Sequence, residues 1–228
     1  EPVRLVYDVS MPEHMLKILR KLLGANTVDA LIPGGRYRNF KDFISFPYTG
    51  HASLEFPPLP PLPSPDFEQY NTTFDAIRNH DVLLHYPYHN FTYFTEWVRQ
   101  ASFDPKVKSI KMTMYRVAKN SRVIHSLLDA VRNGKKVTVV VELKARFDEE
   151  NNIEWAKRLQ SAGAVILYGV AGLKTHAKAC LVVRREPDGI KRYIHLSTGN
   201  YNEKTARLYS DIGLLTADEA IAADVSAF

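Results

Sequence analysis

A histidine and a lysine stand two residues apart in the stretch GLKTHAKACLVV, residues 172–183. The apolar run that follows predicts a strand, and side chains at positions i and i+2 of a strand point to the same face. We therefore expect His176 and Lys178 to face a common ligand, and an imidazole beside an ammonium suits an anion. The alternative is that His176 is a packing residue, which is the more frequent role of a lone histidine in a strand.

Further cations follow the predicted strands at their carboxyl ends. Ligands of open α/β sheets bind beyond these ends, so the cations are expected to converge on one pocket. The alternative is an ordinary charged rim on the surface. Arginine is the stronger indication of phosphate, because its planar guanidinium binds two oxygens at once. The polar and glycine residues at these ends are Arg116, Lys119, Arg122, Lys144, Arg146, Gly172 and Lys174.

The chemistry that this pattern suggests is nucleophilic attack on phosphorus. A neutral imidazole nitrogen of His176 can form a phosphohistidine, and neighbouring cations would stabilise the transferring group. The same cations lower the pKa of the imidazole, which keeps its lone pair available near neutral pH. The motif STGNYN, residues 197–202, could add uncharged donors such as Asn200. His195, on the partner strand of a predicted hairpin, could assist or could simply pack.

Regular elements surround these residues. Strands and helices alternate between residues 81 and 169, and a hairpin, a short strand and a helix follow. This order predicts an α/β fold with a mixed, mostly parallel sheet flanked by helices. The predicted strands are DVLLHY, VKSIKMTMYR, KVTVVVEL and AVILYG, and the predicted helices are NFTYFTEWVRQASF, SRVIHSLLDAVRNG and ENNIEWAKRLQSAG.

A proline-rich stretch divides the chain. Residues 55–67 contain six of the 13 prolines, which favours an extended connector. We place a small N-terminal extension at residues 1–56, a linker at 57–65 and the α/β domain at 66–228. A proline-rich ligand for an SH3 domain is the less favoured alternative. The extension has one amphipathic helix closed by Gly24, then a basic aromatic segment that could stack on bases but more simply packs on a neighbouring domain.

The composition limits the kinds of partner and the cellular compartment to be expected. The formal net charge is +5, so the surface should favour polyanions. A single cysteine, Cys180, excludes an internal disulfide and fits a reducing cytoplasm. No apolar run is long enough to span a membrane. The chain begins with Glu1 rather than Met, which suggests a fragment of a longer protein.

The motif H-x-K, followed by a hairpin and then TGN, resembles the half-site of the phospholipase D superfamily. The aspartate that this superfamily has five residues after the lysine would fall on Val183. With YRVAKNSR, GLKTHAKACLV and STGNYNEKTARLYSD, residues 30–228 resemble the bacterial polyphosphate kinases, which have a phospholipase-D-like core.

The resemblance implies reversible transfer of the terminal phosphate of ATP to inorganic polyphosphate through a phosphohistidine at His176. It implies that Arg116 and Arg146 lie beside Mg²⁺, through phosphate oxygens because a guanidinium has no lone pair to give a metal. It assigns nucleotide contact to Tyr209 and leaves Lys178, His195 and Asn200 as neighbours. The acidic run 147–152 could also hold Mg²⁺, although the start of a helix is the simpler interpretation.

The resemblance also implies an incomplete enzyme. The chain would contain the end of the head domain and the first C-terminal catalytic domain, and would be poorly active without the remaining domains. The expected partners are ATP or ADP, polyphosphate, those domains and further copies in an oligomer; peripheral membrane association is left open and nucleic acid is not expected. The alternatives are a phospholipase-D-type phosphodiesterase half-domain and a non-catalytic module that binds polyanions.

Overall fold

The computed structural model describes residues 4–24, 31–37, 39–118, 120–142, 149–169 and 172–228. The chain divides into two compact units, residues 1–57 and 58–228. In the first unit, strands β1 (Leu5–Asp8) and β2 (Leu31–Gly34) pair in parallel. Helix α1 (Glu13–Leu23) ends at Gly24, whose φ of 66° is the left-handed conformation that glycine adopts without strain. This unit also contains two 3₁₀ turns, Phe40–Ser45 and Ala52–Leu54.

The second unit is an α/β domain built on a seven-stranded sheet. The strand order is β3-β9-β8-β7-β4-β5-β6. The strands are β3 (Val82–Tyr86), β4 (Val107–Met114), β5 (Lys136–Val141), β6 (Val165–Tyr168), β7 (Lys178–Glu186), β8 (Gly189–Ser197) and β9 (Asp211–Thr216), and the helices are α2 (Pro65–Glu68), α3 (Thr73–Asn79), α4 (Thr92–Phe103), α5 (Arg122–Arg132), α6 (Glu149–Ala162) and α7 (Glu219–Ala227).

The predicted α/β class with a mixed sheet and flanking helices is confirmed. Strands β3, β4, β5, β6 and β8 run in one direction, whereas β7 and β9 run in the opposite direction. The sheet is therefore mostly parallel in strand direction, but antiparallel neighbours outnumber parallel neighbours by four to two. The reason is that β7 and β9 are inserted between strands of the other direction.

Both faces of the sheet carry apolar side chains. On one face, Cys180 and Val182 of β7 join the main core, which α3, α4, α5 and α6 also line. On the other face, Leu181 packs with Ile194 and with Ala222 of α7. This alternation is what a two-residue period requires of a strand covered on both sides. Helices α2 and α3, which the sequence did not predict, complete the main core through Phe67, Phe74 and Ile77.

The proline-rich segment is extended and then joins the second unit. The backbone amide of Leu62 donates a hydrogen bond to the carbonyl of Tyr88 (2.7 Å), and α2 begins at Pro65. The assignment of residues 57–65 as a linker between two named domains stays a prediction. Among the described residues, no helix has both the length and the apolar character that crossing a membrane demands.

Candidate active site

The strand directions bring several of the predicted site residues to one edge of the sheet. The carboxyl ends of β3, β4, β5, β6 and β8 lie at this edge, and so do the amino ends of β7 and β9. Arg116 follows β4, Lys178 opens β7, and Asn200 follows β8. A parallel sheet alone would not place the start of β7 beside the end of β4, so the antiparallel insertion of β7 builds this site.

His176 lies in the loop before β7, not in a strand as predicted. The strand begins only at Lys178, and the imidazole is exposed. The two side chains nevertheless meet, because Nζ of Lys178 lies 3.1 Å from Nδ1 and 3.2 Å from Nε2 of His176. The positive charge of Lys178, then partial burial and then the charge of Lys174 lower the pKa of His176. This lowering favours the neutral form of the ring, which is the nucleophilic one.

Lys178 is the buried member of the pair. Its side chain is only 7% exposed, and β7 pairs it with Ser197 at the end of β8. Burial lowers the pKa of Lys178, while the negative charge of Asp211, at the start of β9, acts in the opposite direction. Because the side chain of Lys178 is enclosed, its ammonium is held near His176 more firmly than that of an exposed lysine would be.

Two side chains fix the loop that carries His176. The hydroxyl of Thr113 donates to the carbonyl of Ala177 (2.6 Å) and accepts from the amide of Ala179 (3.0 Å). The buried carboxylate of Glu142 accepts a hydrogen bond from the amide of Thr175 (2.7 Å). The pairing of β7 with β4 comes no nearer to His176 than Cys180, and the contacts of Thr113 and Glu142 hold residues 175 and 177 outside the ladder. The strand therefore starts later than the apolar pattern suggested.

A buried amide joins the ends of β4 and β5. Nδ2 of Asn152 donates to the carbonyl of Tyr115 (2.9 Å) and to that of Glu142 (3.3 Å), while Nε1 of Trp155 donates to its Oδ1 (3.1 Å). Asn152 is fully buried in α6. Strand ends have carbonyl groups with no ladder partner, and Asn152 satisfies two of them.

Tyr115 is a site residue that the sequence interpretation missed. Its ring lies 5.3 Å from that of His176 with an interplanar angle of 77°. Three cations also lie near it, at distances from the ring centroid of 5.6 Å for Arg116, 5.3 Å for Lys174 and 5.7 Å for Lys178. The signal was an aromatic residue directly before Arg116 at a strand end, but only the fold shows that Lys174 and Lys178 reach the same ring.

The loop after β8 contributes Asn200 and packs on the carboxylate of Asp211, at the start of β9. Oδ1 of Asn200 is buried without a hydrogen-bond partner among the described residues. Thr198 donates to Asp211 (2.9 Å), and a Cβ added to Gly199 would lie 2.4 Å from Oδ2 of that carboxylate. Glycine at position 199 therefore lets the loop pack directly on Asp211, the acid that faces Lys178.

His195 lies in the core and does not reach the shared edge, contrary to its expected place beside the reacting group. It is fully buried on β8, where its ring packs 4.4 Å from that of Phe94 and its Nδ1 lies 3.1 Å from the hydroxyl of Tyr201. Burial lowers its pKa to about 3, so it is neutral. Gly213 makes room for it, since a Cβ there would lie 2.7 Å from its Nε2. This geometry matches the packing alternative that the sequence left open for His195, and a catalytic role for it stays a prediction.

The structure describes some of the remaining predicted residues and not others. Tyr209 follows the 3₁₀ turn Thr205–Arg207 and is 62% exposed, so its ring is accessible to a ligand. Arg146 lies outside the described residues, as do Lys119 and Lys144. Arg122, in contrast, starts α5, and its amide donates to Glu203 (2.7 Å).

The arrangement combines an exposed imidazole with a lowered pKa, a buried ammonium and further cations at the carboxyl edge of an α/β sheet. Such a site can bind phosphate oxygens and offer a nitrogen nucleophile. The phospholipase D family member Nuc from Salmonella typhimurium shares the fold, with a TM-score of 0.50, 14% identity, and coverage of 64% of this chain and 89% of that one. The fold and the site thus define a phospholipase-D-like α/β domain with a cationic histidine site.

Residues 72–228 match the family described as Polyphosphate kinase C-terminal domain 1, and the chain belongs to this family. It is 63% identical to Polyphosphate kinase of Vibrio vulnificus (strain YJ016) over 224 residues. This aligned region covers 98% of this chain and 32% of that protein. The crystal structure of polyphosphate kinase from Porphyromonas gingivalis aligns with a TM-score of 0.84 and 38% identity, over 98% of this chain and 34% of that one. The chain therefore spans about a third of the length of these relatives.

Proposed function

We propose that this chain supplies one half of a polyphosphate kinase active site, in which His176 carries the phosphoryl group between ATP and inorganic polyphosphate. The observation that carries the proposal is the exposed imidazole of His176 with the ammonium of Lys178 at 3.1 Å and 3.2 Å from its two nitrogens. Membership of the family and the names of the relatives support the choice of ATP and polyphosphate as substrates.

The first step is attack by the unprotonated ring nitrogen of His176 on the terminal phosphorus of ATP. A phosphorus–nitrogen bond forms as the bond to the bridging oxygen breaks, and ADP leaves with the electron pair. In the second step a terminal oxygen of polyphosphate attacks the same phosphorus, the phosphorus–nitrogen bond breaks, and the polymer is one phosphate longer. The reverse sequence makes ATP, because every bond change is reversible.

Before this chemistry can begin, the ammonium of Lys178 has to leave the ring of His176 and contact a phosphate oxygen instead. In the structure this ammonium lies 3.1 Å and 3.2 Å from the two ring nitrogens of His176, within contact distance of the unprotonated one. Phosphate oxygens are stronger acceptors for a cation than a neutral imidazole. We therefore expect an incoming phosphate to draw the ammonium from the ring, which frees the lone pair and at the same time neutralises charge on the transferring group.

Other residues would bind the phosphates and the nucleotide. Arg116 and Arg146 would hold phosphate oxygens bidentately. Asn200 would offer its amide to an oxygen or hydroxyl, and Tyr209, with its exposed ring, would contact the nucleotide. His195 would support this constellation only indirectly, through the packing of β8.

Mg²⁺ would accompany the ATP phosphates rather than occupy a protein cage. No group of three or more His, Cys, Asp or Glu suited to a metal ion occurs in the part of the chain that the structure describes. The described residues of the site are mainly cationic and do not fit direct metal ligation. Magnesium commonly binds through substrate phosphates with few protein ligands, which agrees with Arg116 and Arg146 acting on the phosphates.

The rest of the assembly belongs to the same proposal. Residues 1–56 would be the end of the head domain and 66–228 the first C-terminal catalytic domain, with the other domains completing the site and copies forming a homo-oligomer. The reaction would take place in the cytoplasm, where ATP is abundant and a single buried cysteine stays reduced. The chain alone would have little activity.

The test uses a full-length protein that contains this chain and ATP labelled at its terminal phosphate. We expect acid-labile, base-stable label on the parent and on the His125→Ala control, and none on His176→Ala. His125 is an exposed histidine of α5, so the control removes an imidazole away from the site. Label of equal intensity on His176→Ala would reject the proposal.

A phosphodiesterase of the phospholipase D type is the second candidate, because the fold of Nuc is similar. It predicts hydrolysis of a phosphodiester by the full-length protein with no transfer to polyphosphate. A non-catalytic polyanion-binding module is the third, and it predicts that His176→Ala leaves binding and function unchanged. The labelling experiment, repeated with a phosphodiester substrate, separates all three.

A further inference from the structure

The ring of Tyr115 occupies the centre of the cationic groups of the site. Arg116, Lys174 and Lys178 each place their charge 5.3–5.7 Å from its centroid. The imidazole of His176 meets the same ring at 5.3 Å. These side chains come from the end of β4 and from the stretch 174–178 that leads into β7, so the ring connects two segments that are distant in sequence.

Cations gathered in one place repel one another, and attractive contacts with neighbouring groups offset that repulsion. The face of an aromatic ring carries negative charge density and attracts ammonium and guanidinium groups. The negative charge of Asp211 acts to raise the pKa of Lys178, but Asp211 is not among the charges that shift the pKa of His176. The Tyr115 ring therefore supplies attraction without supplying a carboxylate, which would compete with phosphate for the same cations.

The backbone of Tyr115 is itself fixed. Its carbonyl accepts a hydrogen bond from the buried amide of Asn152 (2.9 Å), which also binds the carbonyl of Glu142 at the end of β5. The ring thus extends from a rigid strand end and not from a free loop. A rigid platform lowers the entropy that the cations lose when a ligand orders them.

We propose that Tyr115 is a positioning residue whose aromatic face assembles Lys174, Lys178 and Arg116 around His176 before the phosphate chain binds. This inference rests on the proposed function and adds a residue that acts through others. The ring is what matters, so phenylalanine should replace tyrosine, whereas an aliphatic side chain of similar bulk should not.

The first experiment measures binding of tripolyphosphate to the 228-residue chain by calorimetry. We expect Tyr115→Phe to bind within about twofold of the parent, and Tyr115→Leu to bind at least about 10-fold more weakly. Tyr168→Leu is the matched control, because Tyr168 is a half-exposed tyrosine at the end of the parallel strand β6. It should bind like the parent, since none of the cation–ring contacts in the part of the chain that the structure describes involves Tyr168.

The second experiment measures labelling kinetics in the full-length protein. A positioning role predicts that Tyr115→Leu lowers the rate constant of label formation at saturating ATP as well as the apparent affinity, and that Tyr115→Phe restores both. Loss of structure would instead lower the labelled fraction without rescue by phenylalanine. Equal effects of Phe and Leu, in either direction, would overturn the role of the ring.

The outcomes separate this inference from the proposed function. If Lys178→Gln weakens tripolyphosphate binding but Tyr115→Leu does not, the site is correct and the role of Tyr115 is wrong. If Tyr115→Leu weakens binding while His176→Ala still becomes labelled in the full-length protein, the positioning role of Tyr115 is supported and the phosphohistidine proposal is rejected.

Discussion

The carboxylate of Glu142 accepts a hydrogen bond from the amide of Thr175, the residue directly before His176, at 2.7 Å. Glu142 follows β5 and is 5% exposed, so the contact joins a buried strand end to the exposed loop that carries His176. A buried carboxylate is costly unless it is hydrogen-bonded. Its position here indicates that the orientation of the His176 loop is set from within the domain.

We predict that Glu142→Ala lowers labelling of His176 in the full-length protein by about 10-fold or more, because a loop residue displaced by about 1 Å loses reactive geometry. Glu142→Gln should retain most of the labelling, since its amide oxygen can still accept from Thr175. A Gln variant as inactive as the Ala variant would indicate that the negative charge, and not the hydrogen bond, is what the site requires.

The charge of Lys178 should be visible in the titration of His176. Lys178 is the largest cause of the lowered pKa of His176, and Lys174 acts in the same direction more weakly. We therefore expect Lys178→Gln to raise the pKa of His176 toward its ordinary value, and Lys174→Gln to raise it less. The measurement is a proton NMR titration of the imidazole in the 228-residue chain.

Lys111→Gln serves as the control for this titration. Lys111 is an exposed residue of β4, and it is not among the charges that shift His176. Its variant should leave the titration unchanged. A downward movement of the pKa in Lys178→Gln would contradict the assigned electrostatics.

The buried state of His195 should make the stability of the second unit depend on pH. Its folded pKa of about 3 lies below the unfolded value of about 6.5, so the unfolded chain binds the proton more tightly. This contribution to stability is complete above pH 6.5 and is lost as the pH falls from 6.5 toward 3. Between pH 7 and pH 5 the loss should be about 2 kcal/mol.

Denaturant unfolding followed by tryptophan fluorescence measures this loss, because Trp97 and Trp155 are both buried in the second unit. In His195→Leu the decrease in unfolding free energy between pH 7 and pH 5 should be smaller than in the parent by about 2 kcal/mol. His125→Gln, at an exposed position of α5, should keep the parental decrease. Identical pH profiles for His195→Leu and the parent would show that His195 is protonated in the folded state.

Asn152→Ala should destabilise the second unit by about 2–3 kcal/mol. The variant leaves two buried carbonyl groups, of Tyr115 and Glu142, without their donor. Asn79→Ala is the control, because Asn79 makes a comparable hydrogen bond to the carbonyl of Asp75 (2.7 Å) at the surface. It should change the unfolding free energy by less than about 0.5 kcal/mol. A similar small change in Asn152→Ala would mean that water satisfies both carbonyls.

The sequence by itself determined the local elements and the type of chemistry. The β-branched run of β5 and the amphipathic pattern of α5 were predictable because side-chain periodicity records which face is buried. The types of His176, Lys178 and Arg116 indicated a phosphate site for the same local reason. The short helices α2 and α3 were not predicted, because too few turns were present to establish a period.

Only the tertiary structure decided which of these residues meet. Insertion of β7 between β8 and β4 brings Lys178 and His176 to Tyr115, a relationship between residues more than 55 positions apart in the chain. The same pairing turns the ring of His195 into the core, although its place on the hairpin suggested proximity to the reacting group. Periodicity fixes the face of a strand on which a side chain lies, but long-range packing fixes how deeply it is buried and which partner it meets.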